Sequence, residues 1–225
     1  MMQCEVVLPG LVPYQAAWDW QNELATRRGR GEIADRLLLL EHTHTYTFGS
    51  SGHDENLLLS PEELTQRGIT VFRTDRGGDV TYHGPGQLVG YPIIALPRHD
   101  ERLRVDVVGY VRDLETVIIR TLADYGITGR SATGLTGVWV DAPQGAAKIC
   151  AIGVKVNVRG VTKHGFALNV NTDLRYFDGI IPCGIKDKGV TSMAALMRQQ
   201  VAMPGLAACV IAHFGSVFGF EMTTP

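Results

Sequence analysis

A chain of 225 residues, 45% hydrophobic and 20% charged, has the composition of an ordinary folded protein with a sizeable core. A formal net charge of −2 gives it no general attraction to nucleic acid or to an anionic membrane. The four cysteines form neither a C-x-x-C pair nor a compact secreted framework, and no apolar run approaches the ~20 residues that span a bilayer.

The N-terminus also lacks the basic start and apolar core of a signal peptide, so a reducing, cytoplasmic location is expected. No stretch between the periodic segments is long or biased enough to be a linker, so a single domain over 1–225 is expected.

Cys4 to Leu8 reads as a short strand, and Pro13 opens a helix whose Tyr14, Ala17, Trp18, Gln21, Leu24 and Ala25 form one stripe. Arginines 27, 28 and 30, interleaved with glycines, end that helix and read as a solvated loop. Leu37 to Leu40 is an apolar run bounded by charge, which suits a strand buried on both faces. His42 and His44 follow at the spacing of two residues on one strand face. With no Cys or carboxylate cluster close by, packing or substrate-channel roles are expected and metal is not.

Ser60-Pro-Glu-Glu63 is a capping box with proline at the first helical position, and Gly68 closes the short helix it starts. Strands from Ile69 to Arg73 and from Leu88 to Leu96 enclose the most distinctive stretch of the chain. Five glycines and two prolines between Arg73 and Pro92 rule out a helix there and break up any regular strand. Arg76, Asp79, Thr81, His83 and Gln87 nevertheless stand in close order. Bare backbone beside polar side chains is how amides are brought against a substrate, although a solvated crossover loop has the same composition.

The longest helix is expected over Val105 to Tyr125, with Gly126 as its stop, and Gly137 to Val140 as the next strand. Ile149 to Val158 and Val161 to Val170 then read as a hairpin with Arg159-Gly160 as its two-residue loop. That loop sets residue 153 opposite 166. Lys148, Cys150 and Ile152 would then share a face with Gly165, Ala167 and Asn169, while His164 would point to the other. The Phe177 to Ile185 segment is too interrupted for a helix. Thr191 or Ser192 caps a following one, and Pro204 to Val217 is the last, with Cys209 as a small buried hydrophobe.

Two residues stand out chemically. Cys183, between a proline and a glycine, has a held backbone and little bulk around it, which suits a directed nucleophile or a merely conformational cysteine. Lys148 interrupts a core-like strand. It is either a desolvated lysine with a proton-transfer task or a strand-end lysine reaching solvent.

Arg76-Gly-Gly-Asp-Val-Thr-Tyr-His-Gly-Pro-Gly-Gln87 resembles the signature R-G-G-x-x-T-x-H-G-P-G-Q of the octanoyltransferases of lipoate biosynthesis. Ala147-Lys-Ile-Cys-Ala-Ile-Gly153 and Ile181-Pro-Cys-Gly184 agree with two further blocks of that family, in its order, so the resemblance covers roughly Leu37 to Met193. It implies an α/β (α+β) fold like that of the biotin and lipoate protein ligases. A central mixed sheet, flanking helices and a smaller accessory sheet are expected.

The resemblance also implies a Cys183–Lys148 dyad. Cys183 would take the acyl group from octanoyl-acyl carrier protein as a thioester, and Lys148 would promote the thiolate and later accept the proton of the incoming lysine amine. Acceptors would be the lipoyl domains of 2-oxoacid dehydrogenase complexes and the glycine cleavage protein. Acyl contacts would come from Arg76, Gly77, Gly78, Asp79, Val80, Thr81, Tyr82 and His83, from Ala151, Ile152 and Gly153, and from Gly165, Phe166 and Ala167.

His83 would orient the carbonyl or serve as a structural hydrogen-bonding residue, and Cys150 would be a spectator. Thioester exchange is near balance and amide formation runs downhill, so no ATP, metal or other cofactor is called for. The rivals are an ATP-dependent lipoate or biotin-type ligase, which needs no nucleophilic cysteine, and a cysteine thioesterase using His83 or His164.

Overall fold

Leu37 to Leu40 marks the centre of the molecule. In the computed structural model, which describes residues 2–97, 105–143, 145–181 and 189–224, all four leucines are buried. Leu37 and Leu39 enter one hydrophobic core and Leu38 and Leu40 another, because successive side chains of a strand point to opposite faces. Burying each side chain contributes about 2 kcal/mol.

Around this strand, β2 (Asp35–His42), the described residues form a nine-stranded mixed sheet. Its members in chain order are β1 (Met2–Val12), β2, β6 (Gln87–Ile93), β7 (Arg130–Ala132), β8 (Leu135–Ala142), β9 (Gly145–Val156), β10 (Thr162–Asn169), β11 (Gly189–Val190) and β12 (Phe220–Thr223). Across the sheet the order is β12-β1-β2-β6-β10-β9-β8-β7, and β11 joins β9 in parallel. A second sheet of three strands has the order β4 (Thr70–Arg73), β3 (Thr45–Phe48), β5 (Val80–His83).

Helix α1 (Tyr14–Gly29) covers one face of the large sheet with Tyr14, Ala17, Gln21, Leu24 and Ala25 buried, the stripe expected from sequence except that Trp18 is only half-buried. Helices α3 (Val107–Asp124) and α5 (Met203–Phe218) cover the other with Leu114, Val117, Ile118, Leu206, Val210 and Phe214. Short α2 (Pro61–Gln66) carries both hydrogen bonds of its capping box, and Ser192 caps short α4 (Met193–Met197). The fold class expected from sequence is the one observed. No helix among the described residues is long and apolar enough to cross a membrane.

Several local expectations are corrected. The glycine-rich stretch does contain a regular strand, because β5 fits between its glycine pairs and takes β3 as an antiparallel partner. Phe177 to Gly179, the start of the segment read as too interrupted for a helix, close a 3-10 turn that begins at Leu174, and residues 182–185 of that segment lie outside the described ones. Arg27 and Arg28 lie inside α1, and Arg28 is bound to Asp35 on β2. Cys209 is half-buried. His42 and His44 do not share a face, since β2 ends at His42 and β3 begins only at Thr45.

The β9–β10 hairpin differs most. The turn closes at Asn157, whose N–H bonds Val161 O, so Gly153 pairs with Gly165 and not with Phe166. The register is shifted by one residue, which alone would turn every β9 side chain over. A second irregularity intervenes on the β8 side. Val138 pairs with Cys150 but Trp139 with Lys148, leaving Ile149 as an extra residue in a bulge. The bulge turns the strand once more, so Lys148 returns to the face of Ala151, Gly153, Gly165, Ala167 and Asn169. Cys150 lies on the opposite face, in the core under α3.

Candidate active site

The small sheet is two-sided. Tyr46, Phe48, Val80 and Tyr82 pack into its apolar cluster with Ile69 and Ile180, while Thr45, Thr47, Thr81 and His83 occupy its other face. Between that polar face and the β9–β10 surface of the large sheet lies a cavity of about 620 Å³. Lys148, Ala151, Gly153, Gly165, Ala167 and Asn169 contribute to it from β9 and β10, and Arg76 to Thr81 with His83 from the glycine-rich stretch. Ile152 and Phe166, cross-strand neighbours, also line it, together with Val107 and Val111 of α3. Tyr82 does not. Its position on β5 turns it into the small-sheet core, where its hydroxyl meets His44 Nδ1 at 2.7 Å.

The loop is held by its own arginine. Arg76, almost wholly buried, donates to Thr47 O at 2.5 Å, Thr47 Oγ1 at 2.9 Å, Gly77 O at 3.0 Å and Asp79 O at 2.7 Å. Charge-assisted donors aimed at carbonyls fold the loop back on β3. The Asp79 carboxylate accepts from Asn56 Nδ2 at 2.6 Å and from the Val80 N–H at 2.7 Å. The Gly77 N–H bonds Val154 O at 3.0 Å, which ties the loop to β9. Gly153 permits that approach, since a Cβ there would lie 2.7 Å from Gly77 O.

A hydrogen-bond chain crosses the cavity wall. Gln87 Nε2 donates to Tyr82 O and to Asn169 Oδ1, so its Oε1 accepts from His83 Nδ1 at 2.9 Å. His83 Nε2 then faces the Thr47 hydroxyl at 3.3 Å, whose oxygen already accepts from Arg76. Asn169 Nδ2 donates to Thr191 O, and the Thr191 N–H to Lys148 O. The chain fixes one His83 tautomer. Burial, then the neighbouring His42, holds His83 well below the ordinary histidine pKa, so the ring is neutral and stacks on Tyr14.

Lys148 stands on the cavity floor with its ammonium 4.9 Å from the centre of the Trp139 ring. Strand β11 lies beside it, with Val190 paired to Lys148. Cys183 falls outside the described residues. The flanking positions are described: the Ile181 N–H bonds Asn56 O, and Gly189 pairs with Ala147. Cys150 is fully buried, and burial pushes its thiol pKa up, so it offers no nucleophile to the cavity.

His42 lies beneath the site, its Nδ1–H donating to Val12 O at 2.7 Å and its Nε2 accepting from the Tyr91 hydroxyl at 2.7 Å. Burial lowers its pKa to about 4. His44 sits between the Tyr82 and Tyr176 hydroxyls, and neither histidine belongs to a metal-binding cluster among the described residues. Tyr14, Tyr91, Phe177 and His164 also line the cavity, though sequence reasoning assigned them no contact with the acyl group. They come from four separate elements, and no local motif links them.

The family model described as the lipoyl protein ligase A/B catalytic domain matches residues 13–215. Over 212 residues the chain is 53% identical to an octanoyltransferase of Chloroflexus aurantiacus (strain ATCC 29366 / DSM 635 / J-10-fl), covering 94% of this chain and 92% of the relative. An octanoyltransferase of Rubrobacter xylanophilus is 50% identical over 213 residues, with 94% and 92% covered. Among solved structures, a bipartite lipoate protein ligase from Thermoplasma acidophilum superposes with a TM-score of 0.74 at 18% identity, over 100% of this chain and 88% of that one. Lipoate-protein ligase A bound with ATP gives 0.73 at 17%, over 100% and 90%. At such identities the two structures establish a shared fold.

Proposed function

The chain belongs to the octanoyltransferases of the lipoyl protein ligase A/B catalytic family, and from that premise we propose the route by which it moves an octanoyl group in lipoate biosynthesis. The donor is octanoyl-acyl carrier protein and the acceptor a lysine of a lipoyl domain, as in 2-oxoacid dehydrogenase complexes or the glycine cleavage protein. Lys148 takes up the Cys183 thiol proton, the resulting thiolate attacks the donor thioester carbonyl, the carrier's thiolate leaves and receives that proton back from Lys148, and the octanoyl group rests on Cys183. The lysine amine then attacks this second thioester, Lys148 accepts its proton, and an amide forms as the Cys183 thiolate departs.

One observation carries this reading most strongly. Lys148 stands on the same β9–β10 face as Ala151, Gly153, Gly165 and Ala167, so a proton-transfer group and a floor of small residues share one cavity. Those residues leave room for an extended acyl chain, and Ile152 and Phe166 flank it. Buried Arg76 and the neutral His83 shape the opposite wall. The energy of the donor thioester drives the sequence, so ATP has no step to perform.

Intact mass after mixing with octanoyl-acyl carrier protein, without ATP, tests it. A single octanoyl adduct is expected on the wild type and on Cys150→Ala, absent from Cys183→Ala, and discharged by an apo lipoyl domain. An adduct surviving in Cys183→Ala moves the nucleophile. Discharge to free octanoate without the acceptor makes the protein a thioesterase, and acylation that requires ATP makes it a ligase.

A further inference from the structure

Glu115 has no part in that route, yet the fold takes its carboxylate almost wholly out of water, at 1% exposure. On α3 it stands four residues beyond Val111 and eight beyond Val107, so it continues inward the stripe that those two valines present to the cavity. A buried carboxylate is costly unless its oxygens are paired. Oε2 accepts from Arg112 Nη1 at 2.5 Å, and Oε1 accepts from the Gly137 N–H at 3.0 Å. Arg112 is 46% exposed and would hold a carboxylate equally well at the surface. The bond to Gly137 is the one that needs burial.

Gly137 marks the point where β8 leaves the regular ladder. β8 pairs with β9 from Ala142 back to Val138 and with β7 at Trp139 and Leu135, and Gly137 has a partner residue in neither neighbour. Both registers shift beside it, toward β9 between Val138 and Trp139 and toward β7 between Trp139 and Leu135. Its φ of 109° suits glycine alone, and a Cβ there would lie 2.5 Å from Cys150 O. A buried N–H without a strand partner needs an acceptor, and Glu115 supplies it.

Lys148 lies against the same point. A Cβ on Gly137 would stand 3.6 Å from Lys148 Cε, so the lysine stem runs beside Gly137 as its ammonium approaches the Trp139 ring. The bulge that returns Lys148 to the cavity face is closed on the β8 side by Val138 and Trp139, the two residues after Gly137. Without an acceptor the Gly137 N–H would be left buried and unpaired, which favours a shift of β8 at the place where the lysine stem rests.

We infer that Glu115 is a positioning residue for Lys148: by holding the Gly137 N–H it fixes the break in β8 that shapes both the bulge and the bed of the lysine stem. The inference rests on the proposed route, in which Lys148 moves the protons. It assigns the role to the reach of the side chain and not to its charge.

Two substitutions separate reach from charge. Glu115→Gln keeps a carbonyl oxygen at the same distance along the side chain, and Glu115→Asp keeps the charge but falls short by one C–C bond of about 1.5 Å. The test measures kcat, and KM for octanoyl-acyl carrier protein, with an apo lipoyl domain as acceptor, for each substitution alone and combined with Lys148→Met. Glu115→Asp should lower kcat at least tenfold with KM within threefold of wild type. Glu115→Gln should keep both within threefold. In the Lys148→Met background Glu115→Asp should change the residual rate less than twofold, because a residue that acts through the amine has nothing left to act on.

A kcat for Glu115→Asp within threefold of wild type overturns the inference. An equal loss in Glu115→Gln does so as well, since charge would then be the operative feature. A loss as large in the Lys148→Met background, or a Glu115→Asp protein that does not fold where Glu115→Gln does, would make Glu115 structural and would also overturn it. All of these leave the route standing as long as Lys148→Met is itself impaired. Lys148→Met within fivefold of wild type removes Lys148 from the chemistry, and this inference goes with it.

Discussion

Lys148 shows how much a single side chain depends on its setting. Its stem rises from a strand whose neighbours Ala147, Ile149 and Cys150 are buried, and its ammonium lies over the Trp139 ring at the cavity floor. Lys148→Met keeps most of the stem while removing the amine that the proposed route uses twice, and with it the ammonium over the Trp139 ring. Loss of a positioned proton-transfer group costs 10²- to 10⁴-fold in rate. Octanoyl transfer by Lys148→Met should therefore fall by at least about 100-fold, with a melting temperature within about 3 °C of wild type. A rate within fivefold of wild type would remove Lys148 from the chemistry, and a collapsed melting temperature would mark it as structural. Cys150, two residues on, is the natural control because it is buried on the other face.

At the scale of elements, the floor depends on close contact between β6 and β10. Gly90 pairs with Phe166, and a Cβ at Gly90 would sit 2.1 Å from the end of the Phe166 ring. Gly90→Ala must displace that ring from a full core, and overpacking of this kind costs about 1–3 kcal/mol. The expected outcome is a lowered urea midpoint with unchanged m-value, and a raised KM for octanoyl-acyl carrier protein because Phe166 also lines the cavity. An unchanged midpoint would show that the ring has room to move.

The same elements show what could be read from sequence. Helices α1, α2, α3 and α5 and strand β2 were legible because apolar periodicity and end signals act locally. Strands β3 and β5, four residues each and set among histidines, threonines and glycines, carry no such signal and exist through pairing with each other. Lys148 was placed on the correct face through two errors that cancel, a hairpin register off by one and a bulge at Ile149. Cys150 and Ile152, beyond the bulge, were assigned to the wrong face. The bulge is set by pairing with β8, which leaves no mark in local composition.

For the whole molecule, the cost of building this site from buried imidazoles appears in its response to acid. His42, His83 and His164 are all buried, and burial is the leading cause that lowers each pKa. A histidine with a lowered folded-state pKa stays neutral while its unfolded counterpart takes up a proton. The unfolded state then binds more protons, and stability falls as pH falls, beginning near ~6.5 and continuing to the folded-state value. For His42 that window runs from 6.5 to about 4. At ~1.36 kcal/mol per pH unit it removes on the order of 3 kcal/mol across the window.

Asp75 does not blur the measurement. Its pKa is lowered chiefly by the His164 hydrogen bond, so its contribution is present above the unfolded carboxylate value of ~3.9 and is lost only below it. Urea denaturation at pH 7.5, 6.5, 5.5 and 4.5 should show a stability that is level above about pH 7 and declines steeply below 6.5. In His42→Gln the same decline should be shallower, even though the starting stability is reduced by the lost contacts to Val12 and Tyr91. A wild-type profile that stays level down to pH 5 would mean that these rings protonate in place, and the neutral His83 on which the cavity wall depends would have to be abandoned with it.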